Sequence, residues 1–305
     1  MQLPKHVTLK EVGPRDGLQN EKIHIATADK IQLVNLLSQT GLNYIEVTSF
    51  VHPKWIPQLA DAVEVLQAIK REKDITYAAL VPNMRGLERA LQADIDEVNV
   101  FMSASESHNQ NNINKTIAET FPILQEVVTA AKAEHKSVRG YISTVIGCPY
   151  EGYIQPEKVL RVTDKLLEMG VDEISLGDTI GVGVPTQVES LLEELFKRYP
   201  AQKFAMHFHD TRGTALVNIM KSLEMGITKF DSALGGLGGC PYAKGASGNI
   251  ATEDVLYLLD GMDIKTGVDM SLLLKAAYFI EQKLGKSVAS KQMAIVRNEG
   301  SANVL

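Results

Sequence analysis

Two histidines, His207 and His209, lie two positions apart within the apolar run 204–209. Such a run is typical of a short buried strand, whose side chains alternate between two faces. Both imidazoles therefore lie on one face of the predicted strand, where they could bind a single metal ion. A pair of hydrogen-bonded interior histidines is an equally good interpretation of this stretch alone. Because two imidazoles rarely complete a metal site, the metal hypothesis requires oxygen ligands from other parts of the chain.

Polar side chains that could supply further chemistry occur at the ends of other apolar runs. Arg15 and Asp16 follow the first predicted strand, Glu46 ends the second, and Asp178 follows the sixth. Each also has an ordinary structural interpretation. The two aspartates could cap helices, Glu46 could form a salt bridge at a rim, and Arg15 could contact a surface anion.

A glycine-rich segment follows the eighth predicted strand. Six of the fifteen residues at 235–249 are glycine. Because glycine loses more backbone entropy on ordering than any other residue, this composition favours a loop that approaches a ligand closely or closes over it. Flexibility alone is the other interpretation, and the presence of Cys240 and Asn249 in the segment favours the functional one.

Apolar runs and amphipathic segments alternate through the chain as eight strand–helix pairs without a break in composition. The predicted strands cover 7–12, 44–47, 77–81, 97–101, 138–145, 173–176, 204–209 and 229–234. The predicted helices cover 27–41, 59–69, 84–93, 116–135, 156–169, 185–199, 214–225 and 250–259. This alternation predicts an α/β fold, a (β/α)8 TIM barrel, in which reactive residues cluster at the carboxyl ends of the strands. The candidate residues lie at such ends, so the fold class favours a common site.

Three segments lie outside this alternation. Residues 103–115 are polar and rich in asparagine, which favours a solvated connection. Residues 272–284 predict an extra C-terminal helix, and residues 287–305 an irregular tail. The chain contains no linker that would divide it, so we expect a single domain.

Composition limits the classes of function. Of the 305 residues, 45% are hydrophobic and 22% charged, which is ordinary for a globular protein. The net charge of -6 argues against nucleic-acid binding. Cys148 and Cys240 have no CxxC spacing, which predicts reduced thiols. Neither the apolar core of a signal peptide nor a run that could span a bilayer occurs, so we expect no membrane association and a cytoplasmic location.

Several motifs carry a resemblance to known enzymes. The segment 11–21, Glu-Val-Gly-Pro-Arg-Asp-Gly-Leu-Gln-Asn-Glu, resembles the opening motif of the metal-dependent aldolase and Claisen-type barrels, whose signature is R-D-G-x-Q. The segment 236–249, Gly-Leu-Gly-Gly-Cys-Pro-Tyr-Ala-Lys-Gly-Ala-Ser-Gly-Asn, is similar to a loop of the 3-hydroxy-3-methylglutaryl-CoA lyase family. Together with Ser-Leu-Gly-Asp-Thr at 175–179 and His-Phe-His-Asp at 207–210, the similarity extends over nearly the whole chain.

The resemblance implies a set of site residues. The metal ligands it implies are Asp16, His207, His209 and Asn249. The catalytic residues it implies are Arg15, Glu46, Asp178 and Cys240. The substrate contacts it implies are Arg15, Gln19 and Thr179. The cofactor is expected to be a divalent cation, Mg²⁺ or Mn²⁺, since hard oxygen ligands with two nitrogens suit these ions, although imidazoles would also accept Co²⁺ or Zn²⁺.

The implied organisation is a homodimer of single pyruvate carboxyltransferase-like barrel domains. Each domain would span residues 1–305, with the barrel at about 7–260 and a C-terminal extension at about 261–305. The implied substrate is an acyl-CoA.

The implied reaction is the cleavage of 3-hydroxy-3-methylglutaryl-CoA into acetoacetate and acetyl-CoA. In this interpretation Asp178 is the general base and Glu46 tunes or positions it. Arg15 faces the charge that develops on the thioester oxygen, and Cys240 gives a proton to the departing carbon. Two alternatives remain. One is a condensing enzyme of the isopropylmalate or citramalate synthase type, which usually has an added regulatory domain and lacks the cysteine loop. The other is a non-enzymatic binding barrel with a structural metal.

Overall fold

Eight parallel strands close into a barrel at the centre of the computed structural model, which describes residues 3–239 and 248–298. The strands are β1 (Thr8–Glu11), β2 (Tyr44–Ser49), β3 (Thr76–Leu80), β4 (Glu97–Ser103), β5 (Ser137–Ser143), β6 (Glu173–Asp178), β7 (Phe204–Phe208) and β8 (Lys229–Ser232). Each strand pairs with its neighbours along the chain, and β1 pairs with β8 to close the barrel. The predicted (β/α)8 barrel is confirmed.

Helices separate the strands and continue beyond the last one. They are α1 (Thr27–Ser38), α2 (Ala62–Ala68), α3 (Met84–Gln92), α4 (Glu106–Ile113), α5 (Ile117–Ala133), α6 (Pro156–Glu168), α7 (Pro185–Phe196), α8 (Ala215–Glu224), α9 (Thr252–Gly261), α10 (Met270–Leu284) and α11 (Lys291–Asn298). A short hairpin of Gly147–Cys148 and Gly152–Tyr153 precedes α6. In the described ranges, no helix combines the length and the apolar character needed to cross a membrane.

The extra C-terminal helix is confirmed as α10. It begins at Met270 rather than Leu272, because the Asp269 carboxylate accepts hydrogen bonds from the N–H groups of Ser271 (2.8 Å) and Leu272 (3.1 Å). Such a side chain satisfies backbone donors that have no partner within the helix.

The barrel strands are buried on both faces. Every residue of β2, β6 and β7 is buried, as expected for parallel strands covered by helices outside and packed side chains inside. Polar side chains on these strands must therefore find partners within the barrel.

The prediction of a solvated connection at 103–115 is wrong for most of its length, which forms α4. The hydroxyl of Ser105 caps this helix by accepting a hydrogen bond from the His108 N–H (3.1 Å). Asn109 is buried, with its side-chain amide hydrogen-bonded to backbone and side-chain groups. Asn109 thus bonds within a compact segment, whereas Gln110, Asn111 and Asn112 of the same helix are exposed to solvent.

The tail predicted as irregular over 287–305 also contains a helix, α11. The Asp254 carboxylate, in the first turn of α9, accepts hydrogen bonds from the N–H groups of Lys291 and Gln292 (both 3.0 Å). Two apolar side chains of α11 are buried in the main core. Because the capping carboxylate is distant in sequence, the local pattern does not reveal this helix.

Candidate metal and catalytic site

Three of the predicted metal ligands lie together at the carboxyl end of the barrel. Asp16, His207 and His209 each place one ligand atom within 4.8 Å of the other two. The Nε2 atoms of His207 and His209 are 3.8 and 4.0 Å from Asp16 Oδ2, and the two ring centroids are 5.4 Å apart. The two imidazoles thus lie side by side, as their spacing predicts.

Asp16 is presented by one turn of π-helix, Gly13–Gly17, that follows β1. The N–H of Gly13 donates to the fully buried Glu11 carboxylate (2.7 Å). The same carboxylate accepts a hydrogen bond from the N–H of Leu234 (2.9 Å), just beyond β8. Glu11 therefore connects the turn that carries Asp16 to the start of the glycine-rich segment. Single turns of π-helix occur frequently at functional sites.

Asn249 joins the cluster through a contact between distant segments. It pairs with His209 in an antiparallel bridge, and its side-chain nitrogen donates to Asp16 Oδ2 (2.7 Å) and to the Leu237 carbonyl (3.0 Å). Its side-chain oxygen is buried and has no hydrogen-bond partner among the described residues. Leaving a buried acceptor unsatisfied costs stability, and a bound cation would satisfy it.

These four side chains fit a divalent cation. Burial disfavours a charge on Asp16, but the guanidinium of Arg15 and then the two histidines lower its pKa to about 2. Burial, and then the charge of His207, lowers the pKa of His209 to about 4, so its ring is neutral and keeps a lone pair. A carboxylate, an amide oxygen and two imidazoles form a mixed oxygen and nitrogen set suited to such an ion.

Arg15 connects Asp16 to Glu46. Its Nη1 donates to Asp16 Oδ1 (2.5 Å) and its Nε to Glu46 Oε2 (2.6 Å), while the guanidinium carbon lies 5.3 Å from the centroid of the Tyr141 ring. Burial opposes the charge, but the two carboxylates raise the pKa of Arg15, so it is a permanent cation. Gln19 Nε2 donates to the same Asp16 Oδ1 (2.8 Å), so Arg15, Gln19 and Asn249 together orient this carboxylate.

Glu46 is fully buried and both of its oxygens accept hydrogen bonds. Oε1 accepts from the Asn99 amide (2.7 Å), and Oε2 accepts from Arg15 and from the Tyr141 hydroxyl (3.1 Å). These bonds direct the Glu46 carboxylate to Arg15, and the expectation that Glu46 tunes or positions Asp178 stays a prediction. The partners Asn99 and Tyr141 are residues that the sequence reasoning missed.

A network of buried charges lies deeper in the barrel. Arg139 on β5 donates to both oxygens of Asp231 on β8 (2.6 and 3.1 Å) and to the Tyr141 hydroxyl (2.9 Å). Asp231 Oδ2 lies 3.1 Å from His207 Nδ1. The sequence reasoning missed both charged residues because it considered only strand ends. The available signal was a charged residue in the interior of each predicted strand, directly after an apolar one, Val138 or Phe230.

Asp178 and Thr179, at the end of β6, form hydrogen bonds with neighbouring loops. The Asp178 carboxylate accepts from the N–H groups of Val182 (3.1 Å) and Gly183 (2.9 Å). Thr179 Oγ1 accepts from the N–H of Thr144 (2.8 Å), just beyond β5. Burial raises the pKa of Asp178 above its ordinary value, which favours a general base but also accompanies a purely structural cap. The roles of both residues stay predictions.

Cys240 lies outside the described residues, so its role also stays a prediction. The segment that leads to it passes close to the ligand cluster at Gly238. This glycine has a φ of 100°, and a Cβ there would lie 2.5 Å from the side-chain nitrogen of Asn249. The position therefore requires glycine for both its backbone conformation and its close approach.

Comparison with known proteins gives a consistent match. The profile of the HMGL-like family matches residues 6–280. A curated relative, hydroxymethylglutaryl-CoA lyase YngG of Bacillus subtilis, is 58% identical over 298 residues, which cover 98% of this chain and 100% of the relative.

Solved structures agree with this match. The crystal structure of the Bacillus subtilis HMG-CoA lyase has a TM-score of 0.96 at 58% identity, covering 97% of this chain and 100% of the other. An HMG-CoA lyase from Acinetobacter baumannii, solved in complex with coenzyme A and 3-methylmalate, has a TM-score of 0.92 at 38% identity. The match covers 100% of this chain and 98% of the other.

Proposed function

The chain belongs to the HMGL-like family, and from this premise we propose that it cleaves 3-hydroxy-3-methylglutaryl-CoA into acetoacetate and acetyl-CoA. It is an enzyme, a carbon–carbon lyase that acts on an acyl-CoA. The observation that carries the proposal is the cluster of Asp16, His207, His209 and Asn249 beside Arg15, in a chain that is similar to such lyases over nearly its full length.

The side chains that would hold a divalent ion are Asp16, His207, His209 and Asn249. We infer Mg²⁺ or Mn²⁺ from the oxygen ligands in the set. When bound, the ion supplies a Lewis acid that lowers the pKa of the substrate hydroxyl and orients the bond to be broken.

Arg15 faces the negative charge that develops on the thioester oxygen. Its guanidinium is held by Glu46 from one side and Asp16 from the other, so its donors are oriented before the substrate binds. Such preorganisation makes donors effective, because they need not rearrange as the charge develops. Glu46 acts here by positioning Arg15.

Proton transfer involves two further residues in the proposal. Asp178 accepts the proton of the tertiary hydroxyl as the carbon–carbon bond breaks and the hydroxyl oxygen becomes the ketone oxygen of acetoacetate. The bonding electrons pass to the enolate of acetyl-CoA, and Cys240 donates a proton to its carbon. Gln19 and Thr179 contact the substrate beside these groups.

We infer a homodimer of single-domain chains in the cytoplasm. The family resemblance supports the dimer, and the reduced cysteines predicted for the chain support the compartment. Sedimentation equilibrium of the purified protein tests the oligomeric state, and fractionation of source cells tests the location.

One assay tests the activity. The purified protein is incubated with 3-hydroxy-3-methylglutaryl-CoA and Mg²⁺ or Mn²⁺, and acetoacetate and acetyl-CoA are measured with and without a chelator. We expect equal amounts of the two products, lost with the chelator and restored by the metal. Release of free CoA from acetyl-CoA and a 2-oxo acid, without acetoacetate formation, would instead identify a condensing enzyme.

A further inference from the structure

His207 and His209 differ in what their second ring nitrogen contacts. Nδ1 of His207 lies 3.1 Å from Asp231 Oδ2, whereas Nδ1 of His209 is buried and has no hydrogen-bond partner among the described residues. Both rings direct Nε2 towards Asp16. A carboxylate therefore orients the ring of His207, whereas among the described residues no carboxylate contacts Nδ1 of His209.

Strand pairing sets this contact. In the β7–β8 register, Asp231 lies opposite His207, and adjacent inward-facing side chains of a parallel barrel lie close together. Asp231 is buried and is held from two further sides, by Arg139 through both oxygens and by the Ser175 hydroxyl at Oδ2 (2.7 Å). Its carboxylate therefore has little freedom to turn away from the imidazole.

Asp231 is ionised in this setting. Arg139, which is always a cation, donates to both of its oxygens, and the Ser175 hydroxyl donates to Oδ2, so the site is built for a carboxylate. An ionised carboxylate only accepts hydrogen bonds. A neutral imidazole that bonds to it must therefore carry its proton on Nδ1, which leaves the lone pair on Nε2, the atom that faces Asp16.

We propose that Asp231 is a positioning residue that holds His207 in its Nδ1-protonated form and so prepares its Nε2 to bind the divalent ion. The inference rests on the proposed function only for the presence of a metal. A carboxylate behind a ligating histidine fixes both its tautomer and its ring orientation, and losing such a partner typically costs about 10- to 100-fold in metal affinity.

The decisive variant is Asp231→Asn. The asparagine oxygen is expected to stay on Arg139, which only donates, so its NH₂ group faces His207 and donates to Nδ1. The imidazole proton would then move to Nε2 and point into the metal site. We expect the dissociation constant of Mn²⁺, measured by calorimetric titration, to rise about 10- to 100-fold. ¹⁵N spectra of the metal-free protein should show His207 changing from the Nδ1–H to the Nε2–H form.

Ser175→Ala is the matched control. It removes a hydrogen bond to the same oxygen of Asp231 and leaves the contact with His207 in place. We expect the dissociation constant of Mn²⁺ to stay within about threefold of the wild-type value, a much smaller change than loss of the carboxylate itself causes. The His207 tautomer should be unchanged.

The wild-type protein tests the inference even if Asp231→Asn does not fold. An Nε2–H tautomer of His207 in the wild type would overturn it. So would a folded Asp231→Asn variant that binds Mn²⁺ as tightly as the wild type does. If the single variant is unstable because Arg139 is left unpaired, the double variant Asp231→Asn with Arg139→Gln removes both charges. A folded double variant that binds Mn²⁺ as tightly as the wild type would also overturn the inference. Failure of the proposed function is separate: it would appear as absent acetoacetate release by the wild type, whatever the tautomer.

Discussion

Arg15 contacts two carboxylates that have different tasks in the site. One of them, Asp16, is a metal ligand in the proposal, and the other, Glu46, is fully buried and bonded on both oxygens. A lysine at this position offers a compact ammonium that cannot reproduce the planar pattern of donors. Substitution of Arg15 therefore tests whether its role is in the chemistry or in the structure.

We expect Arg15→Lys and Arg15→Gln to lower turnover at saturating metal by at least about 100-fold, the usual effect of losing one well-placed donor to a developing negative charge. Initial rates of acetoacetate release provide the measurement. Gln19→Ala is the control for metal binding, because it removes a different donor to the same oxygen of Asp16. It shows how far the loss of one such donor by itself changes metal affinity. A variant that keeps its turnover but loses melting temperature would identify Arg15 as a structural ion pair.

Cys240 supplies a second test at this scale. We expect Cys240→Ser to fold, to bind substrate nearly as well as the wild type and to lose most turnover, because a hydroxyl is a far weaker acid than a thiol with its reference pKa of about 8.5. Substrate should also protect the wild-type enzyme from alkylation. Cys148→Ser is the control for general thiol effects, since Cys148 is buried near Ser105. Near wild-type turnover of Cys240→Ser would remove the thiol from the mechanism.

At the scale of elements, two buried glutamates hold the start of the glycine-rich segment. Glu11 accepts a hydrogen bond from the N–H of Leu234 (2.9 Å), and Glu253, in the first turn of α9, accepts one from the N–H of Gly235 (3.0 Å). Burial raises the pKa of Glu11 to about 7 and that of Glu253 to about 8. The folded chain therefore tends to keep protons on these groups where the unfolded chain releases them.

This difference predicts how stability depends on pH. Between the ordinary glutamate pKa near 4.5 and the raised pKa of about 8, the folded state binds a proton at Glu253 that the unfolded state has lost. Rising pH therefore lowers the free energy of unfolding in this window. Glu253→Gln removes the titrating proton. We expect its stability relative to the wild type to increase from pH 5 to pH 8 and to level off above that.

Urea unfolding across this pH range measures the effect. Glu64→Gln, at an exposed position of α2, is the control and should show a difference from the wild type that hardly varies with pH. A pH-independent difference for Glu253→Gln as well would mean that Glu253 is not protonated in the folded chain.

For the molecule as a whole, the proposed metal site forms only when the barrel is closed. Asp16 follows the first strand, the histidines end the seventh, and Asn249 precedes the last barrel helix. The unfolded chain cannot assemble these ligands, so an ion that binds them stabilises the fold by mass action.

We expect Mn²⁺ at about 100 times its dissociation constant to raise the free energy of unfolding by about 2.7 kcal/mol. Differential scanning calorimetry with and without Mn²⁺ measures the accompanying rise in melting temperature. His207→Ala and His209→Ala should lose most of this increment at the same Mn²⁺ concentration. His135→Asn is the control, because His135 is an exposed histidine before β5 with a φ of 58°, which asparagine tolerates. An equal increment in His209→Ala would remove that residue from the ligand set.

Features that depend on a short-range pattern can be predicted from the amino-acid sequence alone. The alternation of apolar runs and amphipathic segments predicts the barrel. The alternation of side chains between the two faces of a strand places His207 and His209 on one face. The rule that reactive residues lie at the carboxyl ends of barrel strands brought Arg15 and Asp16 into the same site. The residue roles came from family motifs rather than from pattern.

Contacts between residues that are distant in sequence, in contrast, are visible only in the folded barrel. Three such contacts depend on the strand register and on the path of the loops, which no local periodicity encodes. They are the bridge between His209 and Asn249, the bonds between Glu46 and Arg15, and the contact of Asp231 with His207. The same holds for α11, whose first turn is capped by a carboxylate 37 residues earlier in the chain. A buried polar group must find its partner across the barrel, so the identity of that partner is a property of the closed fold.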